Sequence, residues 1–271
     1  MMMDQGTAQT FDPELVLGAA KWLGLHPGRR LPLSGCFNFR DLGGYPTVDG
    51  RHVRWRRLFR ADGLARLSYA DHWTLSGLGL ATVIDLRSPR EIAERGCFEA
   101  TGDVSYYHLP MTSTMPGDEE LAAWNDPAFV AARYLTMLLE GAGTVSRSLQ
   151  VLAELPSYPV VFHCSAGKDR TGILAAVVLG LLGVPDEIIT GDYMLSREAM
   201  VQMLAWMRQE HPDAGDALEH YTSALLSVEP ESMQGFLNGV RREFGSFDGL
   251  AGALGVENLL SELRAVLLEQ G

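Results

Sequence analysis

The chain has 271 residues, 46% hydrophobic and 21% charged, which suits a soluble globular fold with a sizeable core. Its net charge of -12 makes it a poor holder of long nucleic acid, so any anionic ligand has to be met by a local cationic site. The first residues, "MMMDQGTAQTFDPE", carry no basic region followed by an apolar core, so they read as no secretory signal and residues 1–10 as a disordered tail. Residues 12–24 form a short helix by pattern. Residues 35–62 read as short strands separated by glycine turns, with "VDG" at 48–50 as a hairpin turn. Ser68 caps a helix over 68–79. "ATVIDLR", 81–87, is a strand buried on both faces. Ser88, Pro89 and Gly96 punctuate a helix over 88–96. Residues 104–111 form another strand, 112–127 a loop, and about 127–154 one long helical stretch.

The apolar strand that begins at Val160 comes next, and everything after it reads as helix. Strands alternate with helices in the first two thirds, so the predicted fold is α/β, with a mostly parallel central sheet flanked by helices. The roughly 75 C-terminal residues read as all-helical, a lid or an extra layer over about 197–245, with 11–271 one domain. The longest strongly apolar run, 173–184, is too short to span a bilayer and fits a buried helix. Cys36, Cys97 and Cys164 show no paired spacing, so free thiols in a reducing, cytoplasmic setting are expected. Export by a route without an N-terminal signal stays open, and the oligomeric state is unread.

The chemistry concentrates in "VVFHCSAGKDRTG", 160–172. In an α/β sheet, ligands sit at the carboxyl ends of the strands, where Cys164 falls. Ser165, Ala166 and Gly167 are small enough for the backbone to curl and point its N–H groups inward, an anion cradle that extends over Lys168 and Asp169. The helix that follows adds its positive end. Both effects favour a thiolate at Cys164. Arg170 closes the ring with a planar fork for two oxygens. A lone cysteine after a strand is usually a small buried hydrophobe; the conjunction of His163, Cys164, Gly167, Arg170, Thr171 and Gly172 in one turn outweighs that reading. A nucleotide-binding loop does not fit, because Phe162 and Asp169 stand where it needs Gly and Ser or Thr. "GLG" at 77–79 precedes a strand and makes no dinucleotide fingerprint.

"HCSAGKDRTG" resembles the signature of cysteine-dependent phosphatases: His-Cys, five residues, Arg, then Ser or Thr. "NFRDLGGY" (38–45), "LFRAD" (58–62), "VIDLRSPREIAERG" (83–96) and "DYMLS" (192–196) extend the resemblance to the bacterial and fungal tyrosine phosphatase family over most of the chain. The resemblance implies hydrolysis of phosphotyrosine, with phosphoserine, phosphothreonine and phosphoinositides as further substrates, and no metal or other cofactor. Phosphorylated proteins or phosphoinositides are then the partners, and phosphate, sulfate or vanadate fit the site. Cys164 would form a phosphocysteine, Arg170 and the loop N–H groups would hold the equatorial oxygens, and Thr171 would donate to the departing sulfur. His163 reads as fixing loop geometry.

Tyrosine phosphatases of one large class carry their general acid in a Trp-Pro-Asp loop, and this chain has no such tripeptide. Asp169 in the loop and Asp118 on the 112–127 loop are the two candidates. Asp85 and Arg87 end a neighbouring strand. Arg87 either lines the crevice or caps the next helix through Glu91. Arg40 and Asp41 read as a structural ion pair, and the basic run 51–60 as a solvated hairpin face. Lys168 reads as a second cation beside the cradle, which favours phosphoinositides. The reading from another class is a phosphate-binding module with little turnover; the presence of both Cys164 and Arg170 argues against it.

Overall fold

The computed structural model describes residues 12–100, 102–112, 122–210, 212, 222 and 224–271. The predicted tail 1–10 and Asp118 lie outside these residues. Helix α1 spans Pro13–Leu25. A five-stranded sheet then assembles from β1 (Arg40–Asp41), β3 (Leu58–Ala61), β4 (Thr82–Asp85), β5 (Ser105–His108) and β6 (Val160–His163). Its order is β1-β3-β6-β4-β5, with β1 antiparallel to β3 and every other pair parallel. The expected α/β architecture with a mostly parallel centre is what the chain adopts.

The central strands are buried along their whole length because helices cover both faces, as their unbroken apolar sequence requires. Register places Ala61, His163 and Asp85 level at the carboxyl edge of the three central strands. The turns beyond that edge carry the site. Helix α2 (Tyr69–Gly77) and helix α3 (Pro89–Arg95) each start with a capping box, Ser68 with Asp71 and Ser88 with Glu91.

The predicted helix over 127–154 is two helices, α4 (Pro127–Glu140) and α5 (Ala142–Leu152). They part at Gly141, where a Cβ would stand 2.8 Å from the Met111 carbonyl oxygen. Helix α6 (Asp169–Leu181) follows β6; its residues from Thr171 to Leu179 are buried all round, so it runs through the core. Then come α7 (Asp186–Met194), α8 (Ser196–Glu210), α9 (Pro230–Phe244), α10 (Phe247–Ala253) and α11 (Leu260–Leu267). Helix α9 packs on α4 and α7, and α7 packs on α1. The chain does not end in helix: β7 (Leu268–Gln270) pairs antiparallel with β2 (Arg51–Val53). One buried cluster runs through the layers, from Leu23 through Leu58, Phe162 and Val177 to Phe236 and Leu268. Among the described residues no helix is long and apolar enough to cross a membrane.

Candidate active site

Cys164 follows β6 directly and is 2% exposed. The loop after it is held from outside by its carbonyl oxygens. The Ser165 carbonyl accepts from the Gly63 N–H at 3.1 Å. The Asn38 amide donates to the carbonyls of Ala166 and Gly167, both at 3.1 Å. Arg60 Nη2 donates to the Gly167 carbonyl at 2.7 Å and reaches that of Lys168 at 3.3 Å. These peptides are trans, so each N–H points opposite to the carbonyl before it. The outward carbonyls of 165–168 therefore turn the N–H groups of Ala166, Gly167, Lys168 and Asp169 inward. Inward N–H groups of this kind suit an anion. Gly167 has φ +67, and a Cβ there would sit 2.5 Å from the Ala61 carbonyl oxygen, so this position takes only glycine.

Arg170 is oriented by a residue outside the loop. Its Nη1 and Nη2 donate to the two oxygens of Glu91 at 2.6 and 2.7 Å. Ser165 Oγ donates to the same carboxylate at 2.5 Å, and the Ser88 N–H at 2.8 Å. Glu91 thus completes the α3 capping box and braces both ends of the loop. Burial alone would raise its carboxyl; the hydrogen bonds and charge of Arg170, then Ser165 and Ser88, outweigh burial and hold it well below the usual range. Guanidinium carries five N–H groups, so the Glu91 fork leaves an edge of Arg170 for two anion oxygens. Glu91→Gln keeps the shape, loses the charge and puts an NH2 against an arginine donor. Turnover should fall about 10- to 100-fold, the scale of losing a neighbour that orients a functional group. Steady-state kinetics at unchanged fold check this; activity within twofold of wild type would remove Glu91 from the site.

Beneath the loop lies a buried hub. Asp192 on α7 accepts from Arg40 Nε at 2.9 Å, Arg60 Nη1 at 2.6 Å and the Tyr45 hydroxyl at 2.7 Å. Arg40 Nη2 also donates to Ser196 Oγ, and Nη1 donates to the Asn38 side-chain oxygen. The residues that reach the loop carbonyls, Asn38 and Arg60, are thereby fixed from behind. Two expectations are corrected here. Arg40 does not pair with Asp41; it pairs with Asp192, and Asp41 accepts from the N–H groups of Gly43 and Arg56. The run 51–60 is not a solvated face throughout: Arg54 donates to the Leu268 carbonyl, and Arg60 is 1% exposed.

Asp85 and Arg87 pair with each other, Nη2 to Oδ2 at 2.6 Å, and both are buried. Arg87 therefore neither meets Glu91 nor opens to the crevice. Burial would raise the Asp85 carboxyl, but the hydrogen bonds and charge of Arg87 outweigh it and hold it below its ordinary value. Tyr106 donates a further hydrogen bond to it. His163 is neutral, its pKa lowered chiefly by burial. Its Nδ1 meets the Cys164 carbonyl at 3.1 Å, while Nε2 lies 3.6 Å from Asp85, beyond hydrogen-bond range. The Thr171 hydroxyl is buried without a hydrogen-bond partner among the described residues, an orphan donor on the first turn of α6.

Lys168 and Asp169 both turn to the helical layer. Lys168 Nζ donates to the carbonyls of Ala224 and Ser227 at 2.7 and 3.0 Å, with that of Leu225 at 3.5 Å. Only its backbone N–H takes part in the cradle. Asp169 accepts from the Tyr134 hydroxyl, which also meets that of Tyr193 at 3.0 Å. The Asp169 side chain remains 24% exposed. Sequence reasoning singled out neither Asn38, Arg60, Glu91 nor Asp192 as site residues. All four lie in the segments that carried the resemblance; Tyr134 lies in none of them.

Cys164, a loop whose carbonyls are tied to Gly63, Asn38 and Arg60, and an arginine braced by Glu91 thus lie together at the carboxyl edge of a parallel sheet. The tyrosine phosphatase family matches residues 31–269, and the chain belongs to that family. It is 29% identical to the triple specificity protein phosphatase PtpB of Mycobacterium tuberculosis, over 89% of this chain and 99% of that one. It is 31% identical to a putative tyrosine-protein phosphatase of Cupriavidus necator, over 78% of each chain. A tyrosine-protein phosphatase of Nostoc commune is 33% identical over 51% of this chain and 47% of its own.

Proposed function

We propose that the protein hydrolyses phosphotyrosine in protein substrates through a phosphocysteine at Cys164. The observation that supports this reading is the loop after Cys164, its carbonyls tied to Gly63, Asn38 and Arg60 and its Arg170 braced by Glu91, which suits an anion held by four backbone N–H groups and the remaining edge of Arg170. The thiolate attacks phosphorus, the phosphorus–oxygen bond to the tyrosine breaks, and the phenol leaves with a proton from a general acid. Water then attacks the phosphocysteine and gives its proton to the conjugate base, the sulfur leaves, and phosphate is released. The cradle and Arg170 meet the three equatorial oxygens in both steps. The Thr171 hydroxyl, without a hydrogen-bond partner among the described residues, is our candidate donor to the leaving thiolate.

Asp169 is our candidate for the acid, since it adjoins Arg170 and is partly exposed; Asp118 is the alternative. Phosphoserine, phosphothreonine and phosphoinositides enter the reading as further candidate substrates through the resemblance of the signature segment. The buried ammonium of Lys168 lends the lipid branch no support. A binding module without turnover is the other reading, and the intact Cys164 and Arg170 speak against it. The deciding assay is hydrolysis of p-nitrophenyl phosphate, expected to be blocked by vanadate and indifferent to chelators. In the same assay, changing the true acid to Asn should slow an alkyl phosphate far more than p-nitrophenyl phosphate, by about 10²-fold or more, because a good leaving group needs no proton. If neither Asp169→Asn nor Asp118→Asn shows that bias, both assignments fail.

A further inference from the structure

We infer that Tyr134 is a positioning residue for the proton donor: with Lys168 it claims Oδ1 of Asp169, and so leaves the transferable proton to Oδ2. The inference rests on the phosphatase reading above, with Asp169 as its acid. Tyr134 lies on α4, fully buried, and its hydroxyl donates to Asp169 Oδ1 across 35 positions of sequence. The Lys168 ammonium lies 3.5 Å from that same oxygen. Its N–H groups go to the carbonyls of Ala224 and Ser227, so it acts on Oδ1 as a charge. Asp169 Oδ2 makes no hydrogen bond among the described residues, and the side chain is 24% exposed.

A hydroxyl holds one proton. Tyr134 spends its proton on Asp169, so in its 3.0 Å contact with Tyr193 the Tyr193 hydroxyl is the donor. The result is a chain of donors, Tyr193 to Tyr134 to Oδ1, in which each bond polarises the next. The rings hold it in place: Tyr134 meets Tyr193 and Phe236 edge-on, each with ring centres 6.2 Å apart. Burial first, and then the charge of Asp169, raise both hydroxyls, so they stay protonated and donate. A carboxylic acid has one oxygen that accepts and one that carries the proton. Oδ1 already faces a hydroxyl proton and an ammonium, so the proton resides on Oδ2. The same bond stops the carboxyl from turning over and exchanging its two oxygens. When the phosphorus–oxygen bond breaks, Oδ2 gives its proton to the departing oxygen. The charge left on the carboxylate is met at Oδ1 by Tyr134 and Lys168. In the second step Oδ2 takes a proton back from the attacking water.

The test is Tyr134→Phe, which fills the same space and removes only the hydroxyl. Phenyl phosphate and p-nitrophenyl phosphate are the probes, since they share a ring but differ in their need for a proton. The kcat/KM for phenyl phosphate should fall about tenfold or more, and that for p-nitrophenyl phosphate less than about threefold. Competitive inhibition by inorganic phosphate should stay within about twofold of wild type, because the loop N–H groups are untouched. A merely structural role would slow both esters together and weaken phosphate as well. In an Asp169→Asn background, Tyr134→Phe should add less than about twofold, since its effect runs through that carboxyl. Equal losses on the two esters, or full additivity with Asp169→Asn, would overturn the inference. Should Tyr134→Phe fail to fold, Tyr193→Phe removes the outer donor and should give the same bias at about threefold; no bias there overturns it too. A bias in Asp169→Asn with none in Tyr134→Phe sinks this inference and leaves Asp169 the acid. No bias in Asp169→Asn removes both. A wild type inert on both esters ends the phosphatase reading itself.

Discussion

Cys164→Ser should bind inorganic phosphate within about threefold of wild type and turn over at least about 10⁴-fold more slowly, the scale of removing a covalent nucleophile. The two effects separate because the cradle is backbone. Its N–H groups are aimed by carbonyls held on Gly63, Asn38 and Arg60, and none of these contacts passes through the thiol. A serine hydroxyl at neutral pH is a far weaker nucleophile, and His163 is a poor base for it: Nδ1 is spent on a carbonyl, Nε2 lies on the Asp85 side, and burial weakens the ring's hold on a proton. Arg170→Lys should lose about 10²- to 10³-fold, because a point charge cannot hold Glu91 and two phosphate oxygens together. Isothermal titration with phosphate and steady-state kinetics read the two quantities independently. Alkylation gives a third reading. Iodoacetamide should label Cys164 ahead of Cys36 and be held off by phosphate. Cys36 is buried, and burial, then the charge of Asp62, push its thiol up. Substantial activity in Cys164→Ser, or phosphate-protected labelling of Cys36 instead, would end the assignment.

What the sequence makes legible is local. Cys164 and Arg170 lie six positions apart across one strand–turn–helix step, so their chemistry can be read without knowing where the rest of the chain goes. The apolar runs of β4 and β6 announce burial on both faces for the same reason. The start and end of α3 were legible too, from Ser88, Pro89 and Gly96. What Glu91 does with its remaining acceptor capacity was not, since Arg170 is 79 positions away. Only the sheet register, β6 against β4, brings them together.

Lys168 shows another limit. Its place in the loop fixes where its N–H points, whereas four rotatable bonds decide where its ammonium goes, and that depends on carbonyls of residues 224–227. β7 was invisible because residues 268–270 have no alternation of their own; they are a strand because Arg51–Val53 offers an edge. The basic run 51–60 misled for a similar reason. Charge composition suggests a solvated face, but Arg60 sits in a central strand and points at a buried partner.

That partner sets the largest expected loss of stability. Asp192→Asn keeps the shape of the side chain and removes the carboxylate that meets both Arg40 and Arg60, each 1% exposed. Arg60 is already pushed below its ordinary value, first by burial and then by Arg40, with Asp192 opposing. Without that opposition two buried guanidinium groups confront each other. Breaking a buried pair in this way costs about 3–5 kcal/mol. In a chain of this size each kcal/mol shifts the melting temperature by about 2–4 °C, so the transition should drop by about 6–20 °C. Tyr45→Phe, which removes a single neutral donor from the same carboxylate, should cost only about 1–2 kcal/mol.

Acid titration adds a signature that simple loss of packing would not produce. Burial would raise the Asp192 carboxyl, but Arg40, Arg60 and the Tyr45 hydroxyl outweigh it and hold it well below the usual range. A carboxyl depressed in the folded state contributes stability that is present above its unfolded value, near 4, and is lost as pH falls through the folded one. The gap between wild type and Asp192→Asn should therefore be full at pH 7 and narrow steadily below about pH 4. Activity should fall with stability, because Arg60 holds the carbonyls of Gly167 and Lys168 from the same hub. Thermal melts at pH 7 and pH 3 decide it: a variant that melts within 2 °C of wild type at pH 7, or a gap that widens in acid, would mean that Asp192 is not what holds the two arginines beneath the loop.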